Sequence, residues 1–118
     1  METAVGPGFA QSLEGRTLRW KFDDGPTAGK TFEHTFRPDG TVVWREVSPA
    51  AKDERKGKGP GTKYASFEIA PETHLVSYLS ESGYTLTVAV NLQTSQCRAI
   101  ASNEKEWYPL TGKVKIVD

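Results

Sequence analysis

The chain has 118 residues, and its fifteen basic residues balance fifteen acidic ones. That length suits one domain around one hydrophobic core, and the absence of a basic excess sets aside nucleic acid and anionic lipid as partners. A single cysteine, Cys97, leaves no internal disulfide and fits a reducing compartment.

No run approaches the ~20 apolar residues that cross a bilayer. The start, METAVGPGFAQSLEG, lacks the basic and apolar regions of a secretory signal. The expected location is cytoplasmic, with no membrane partner.

Residues 1–14 are small, polar and glycine-containing, which predicts a flexible lead-in before a single domain over 15–118. Thr17–Phe22 alternates, with Leu18, Trp20 and Phe22 on one side and Arg19 and Lys21 on the other, and it ends in the turn Asp23-Asp24-Gly25-Pro26. Lys30–Phe36 places Phe32, His34 and Phe36 on one face and stops at Arg37-Pro38-Asp39-Gly40. There proline presets φ and glycine accepts a positive one. Thr41–Val47 returns as a third strand of a meander.

Ser48–Thr62, SPAAKDERKGKGPGT, is charged, rich in glycine and proline, and has no apolar side chain larger than alanine. A connection of this length reads as a mobile loop. Strands resume at Lys63–Ile69, His74–Leu79, Tyr84–Leu92, Gln96–Ala101 and Trp107–Val117, with short turns between them. Eight strand candidates and no amphipathic helix predict all-β structure. The favoured form is a closed, mostly antiparallel up-and-down β-barrel, with a two-sheet sandwich as the alternative. A barrel of eight strands has room for side chains or for one small ligand.

The stretches LRWKFDDG, TFEHTFRPDGTVVWREV and THLVSYLSESGYTLTVAVNLQT resemble, in order and character, the calycin barrels grouped as MoaF-like domains (molybdenum cofactor biosynthesis protein F-like). The resemblance runs from about Leu13 to Val117 and implies an up-and-down barrel with a central cavity. The same order is distantly similar to the phenolic acid decarboxylases. That resemblance implies two first-strand tyrosines, a third-strand arginine, and a glutamate two residues after an aromatic. Here Trp20 and Phe22 stand at the tyrosine positions, and Arg45 matches the arginine. Ser80 lies two residues after Tyr78, and the carboxylate, Glu81, comes one place later. A one-residue shift turns a strand side chain to the other face, so decarboxylation of a phenolic acid is not expected.

Trp20, Phe22, Phe32, His34 and Phe36 are the candidate cavity wall, supplying apolar surface for a flat ligand. His34, between two phenylalanines, reads either as a satisfied core histidine or as a group that orients a ligand. Arg45 shares a face with Val43 and Val47. Alternation leaves its direction open, whereas the decarboxylase resemblance implies an inward anchor for an anion. His74 reads as exposed, Asp23 and Asp24 as turn formers, and Cys97 as a buried filler. The two histidines have no cysteine or carboxylate in ligand spacing, so neither a metal nor a cofactor is expected.

The expected function is a binding module for a small aromatic or amphipathic anion, with no assigned catalytic residue. The alternatives are a lyase or isomerase using His34 or Glu81 as acid or base, and a solid structural barrel. Small barrels of this kind pair through sheet faces, so a homodimer using Tyr78, Leu79 and the Tyr84–Leu92 strand is expected.

Overall fold

The computed structural model describes residues 11–47 and 61–117. Eight strands follow in chain order: β1 (Thr17–Phe22), β2 (Thr31–Phe36), β3 (Thr41–Glu46), β4 (Thr62–Ala70), β5 (Thr73–Leu79), β6 (Thr85–Asn91), β7 (Gln96–Ser102) and β8 (Trp107–Ile116). Each pairs antiparallel with the next, and β8 returns to β1, so the sheet closes into a barrel. Closure removes the unpaired edge strands of an open sheet. The alternative of a two-sheet sandwich is thereby replaced by the barrel, and among the described residues there is no helix.

Period-two alternation decides what fills the interior. Leu18, Trp20 and Phe22 of β1 point inward, as do His34 and Phe36 of β2, and all five are buried. In β4 the inward set is Tyr64 and Ser66, whereas Phe67 and Ile69 lie on the outer face and are exposed. In β6 the inward set includes Val88 and Val90, both fully buried.

One end of the barrel is solid. Leu18, Phe36, Val42, Val76, Val88, Val90, Cys97 and Val114 pack there with Leu13, a residue that precedes β1. Of the lead-in expected over 1–14, residues 1–10 lie outside the described residues. Gln11 to Gly15 form a turn held against the barrel. The Gln11 amide donates to the Tyr64 carbonyl (2.6 Å) and its oxygen accepts from the Ser66 backbone (2.7 Å). The Leu13 amide donates to Ser66 Oγ at 3.1 Å. This turn also overturns the exposed reading of His74, which is buried with Nδ1 2.8 Å from Ser12 Oγ. Most of the loop expected over 48–62 likewise lies outside the described residues, and Thr62 already begins β4.

Two local features set the geometry of the other end. β3 and β4 share only the pairs Thr41↔Lys63 and Val42↔Thr62, so Trp44, further along β3, has no β4 partner. At the β1–β8 closure Gly112 pairs with Phe22, and a Cβ there would lie 2.1 Å from the Lys21 carbonyl oxygen. Only glycine permits so close an approach of two backbones.

Candidate functional site

The end opposite Leu13 is open. A cavity of about 270 Å³ lies where β1, β3, β5 and β7 finish and where β2, β6 and β8 begin. Trp20, Phe22, Phe32 and His34 form one wall, as the alternation of β1 and β2 predicts. The opposite wall is Tyr78, Leu86, Tyr108 and Leu110, and Trp44 closes the β3 side. None of the described lining residues carries a formal charge.

At the centre lies His34. Its ring stacks on Trp20 with centroids 3.9 Å apart and planes 24° apart. The two residues are diagonal neighbours on adjacent strands, since Leu18 pairs with His34 and Trp20 with Phe32. Nε2 lies 2.6 Å from the Tyr78 hydroxyl, and Nδ1 is buried without a hydrogen-bond partner. Burial pushes the imidazole pKa down to about 3, and the nearby Phe32 backbone offsets this only in part. Burial also raises the Tyr78 phenol above its usual range. The pair is therefore neutral at ordinary pH: desolvation disfavours both imidazolium and phenolate.

Two candidate residues are corrected. Phe36 does not line the cavity. It sits beyond His34 (centroids 6.2 Å apart) and packs edge-on against Tyr64 at 5.0 Å, inside the solid half. Arg45 does not point inward. The β2–β3 register pairs His34 with Trp44 and Glu33 with Arg45, which sends Trp44 into the barrel and Arg45 out of it. On the outer face Glu33 bridges two arginines. Its Oε1 accepts from Arg45 Nε at 3.1 Å and its Oε2 from Arg19 Nε at 2.8 Å. Glu33 itself is only 1% exposed. A carboxylate this desolvated needs such partners, and they hold Arg45 on the outside of the sheet.

The sequence reading missed Trp44, Tyr78, Leu86, Tyr108 and Leu110. Tyr78 alternates with the buried Val76, and Leu86 with Val88, so the period that marked β1 and β2 also carried these residues to the interior. Glu81, the other acid considered, sits in the exposed β5–β6 turn and is not part of the wall. At the rim, Tyr84 and Tyr108 both donate their hydroxyls to Glu106, the latter at 3.2 Å. The Glu106 hydrogen bond pushes the Tyr84 phenol up to about 12. This arrangement ties down the polar ends of two mouth residues. Among the described residues no three or more His, Cys, Asp or Glu converge as metal ligands, and no helix is long and apolar enough to cross a membrane.

Comparison with known proteins places this geometry in context. Residues 8–106 match the family model of the MoaF N-terminal domain. Among solved structures, a "putative beta-lactamase" from Burkholderia vietnamiensis aligns over 90% of this chain and 96% of its own, with a TM-score of 0.66 and 16% identity. At that identity the likeness shows a shared fold alone. Comparison with the curated proteins returned no match.

Proposed function

The chain belongs to the MoaF N-terminal domain family, and we propose that its barrel is a binding module for one small, flat, mostly apolar molecule. The observation that carries this reading is the half-open interior, a cavity of about 270 Å³ walled by Trp20, Phe22, Phe32, Trp44 and Tyr78. Its size is near the lower end of small-molecule sites, which begin at roughly 300 Å³. Aromatic walls offer face and edge contacts to a planar ligand. The anion expected from the sequence loses its anchor once Arg45 is outside and paired with Glu33. The enzyme alternative gains no support either. His34 and Tyr78 are neutral, and Glu81 lies outside the wall.

A thermal-shift screen against small aromatic compounds tests the proposal. A ligand at 100 times its Kd stabilises by about 2.7 kcal/mol. Leu86→Trp, which fills the cavity from one wall, should abolish the shift. Arg45→Ala should leave the shift intact, because the guanidinium lies on the far side of the sheet. A panel in which nothing shifts the unmodified protein would overturn the binding reading. Loss of binding in Arg45→Ala would reinstate that residue as an anchor.

We propose a homodimer as well, through a face that differs in part from the one expected. Tyr78, Leu86, Val88 and Val90 point inward, so the outward residues of the same strands must supply the contact. Those on β5 and β6 are Thr73, Leu75, Ser77 and Leu79, then Thr85, Thr87, Ala89 and Asn91. None is charged, in a chain that is 25% charged. Depletion of charge marks the centre of protein interfaces. Light scattering at micromolar concentration should give twice the 13.0 kDa chain mass, and Leu79→Lys should restore the single chain. A value of one chain mass for the unmodified protein would reject the dimer.

A further inference from the structure

Resting on the binding reading above, we infer that the cavity takes an uncharged ring compound bearing one hydroxyl or carbonyl group, and that the His34–Tyr78 pair reads that group. Three observations converge on this class. The described lining residues hold no formal charge, and the nearby cations Arg19 and Arg45 are on the outer face, committed to Glu33. An ion placed in such a cavity would lose its hydration with no countercharge to replace it. The Trp20–His34 stack presents flat aromatic surface, which suits a ring more than a flexible chain.

The third observation is a hydrogen-bond count. A neutral imidazole has one donor and one acceptor, and a tyrosine hydroxyl has one donor and two acceptor positions. The 2.6 Å bond between Nε2 and Tyr78 Oη uses one donor and one acceptor. Its proton sits in one of two arrangements. When Tyr78 donates to Nε2, Nδ1 carries the imidazole proton and the Tyr78 oxygen keeps a lone pair for a ligand hydroxyl. When Nε2 donates to Tyr78, Nδ1 is a bare acceptor and the Tyr78 hydrogen is free for a ligand carbonyl. Both arrangements are neutral overall, and in both Nδ1 stays buried, out of reach of a molecule in the cavity. Either way the Tyr78 hydroxyl, on the wall of the cavity, keeps one unspent hydrogen-bonding position, which a hydroxyl or carbonyl arriving with the ligand can take.

The test uses three probes of one ring size with the full chain: naphthalene, 2-naphthol and 2-naphthoate, with affinities measured by calorimetry at neutral pH. In the unmodified protein, 2-naphthol should bind about two- to tenfold tighter than naphthalene, the margin expected of one neutral hydrogen bond. The carboxylate should bind most weakly. Tyr78→Phe should bring 2-naphthol down to the affinity of naphthalene without changing naphthalene itself. The His34 ring ¹⁵N shifts of the unmodified protein should move with 2-naphthol and stay in place with naphthalene.

Equal binding of naphthalene and 2-naphthol, or tightest binding of 2-naphthoate, would overturn this inference while leaving the binding module standing. Absence of binding by all three would overturn both. If Tyr78→Phe does not fold, the three affinities and the ¹⁵N shifts of the unmodified protein decide the matter.

Discussion

Replacing Gly112 with alanine should prevent β8 from seating against β1. The added methyl would meet the Lys21 carbonyl oxygen at 2.1 Å and the Phe22 Cα at 2.9 Å. Both are backbone atoms, so no side chain can rotate away to make room. Gly112 also pairs with Cys97 of β7, which restricts escape in the other direction. Overpacking a core position costs about 1–3 kcal/mol, and more where backbone must move. Here the displaced backbone is the seam that closes the barrel, so the expected loss lies at or above the top of that range. Urea unfolding followed by far-ultraviolet circular dichroism would measure it. An alanine variant with unchanged midpoint and slope would mean that β1 and β8 lie further apart than described.

Stability should fall as the solution is acidified below about pH 6, and His34 should account for a separable part of the fall. In the folded chain burial holds its pKa at about 3, against an ordinary 6.5. Between these values the unfolded chain takes up a proton that the folded chain refuses. Stability therefore rises with pH across that window, with a slope of up to about 1.4 kcal/mol per pH unit from this one group. The contribution is fully present above 6.5 and is lost as pH falls toward 3. His34→Leu removes the group but keeps an apolar side chain at the site. Other carboxylates titrate in both proteins, Asp39 among them, whose pKa is lowered by its hydrogen bonds to Thr41. The informative quantity is therefore the difference between the two proteins. That difference should shift steadily against the native chain when urea midpoints are compared at about pH 7, 6, 5 and 4. Parallel curves would show that His34 is hydrated or already charged in the folded state.

The fold was legible in the sequence because each strand is bounded by turn chemistry and most carry apolar residues on alternate positions. The Pro38-Asp39-Gly40 turn illustrates this. Asp39 accepts from both the Thr41 amide and the Thr41 hydroxyl, and Gly40 sits at a φ of 88°. The first wall of the cavity was legible for the same reason, since Trp20, Phe22, Phe32 and His34 alternate with polar residues.

β3 was ambiguous because TVVWREV has apolar groups on both faces. Only its ladder with β2 settles which set enters the barrel. The pairing of Glu33 with Arg19 and Arg45 joins residues from three strands, and a register is needed before any of them can be seen as partners. Leu13 and His74 escaped for another reason: both are buried by the turn at Gln11–Gly15, whose polar composition gives no sign that it packs back on the barrel. Phe36 was placed on the right face but at the wrong depth, because alternation fixes direction and says nothing about distance along the barrel axis.

The division of the interior into a filled half and an open half bears on how such a chain can change its ligand over generations. Truncating a packed side chain leaves a void whose cost grows with its volume, about 2–5 kcal/mol for a leucine. Leu13, Val88 and Val90, fully enclosed at the filled end, are held under that constraint. Leu86 and Trp44 already border empty space, so exchanging them removes fewer contacts and creates no new sealed void. A lineage built on this barrel can therefore reshape its mouth while the far end keeps it folded, so variation in what is bound does not require variation in whether the chain holds together.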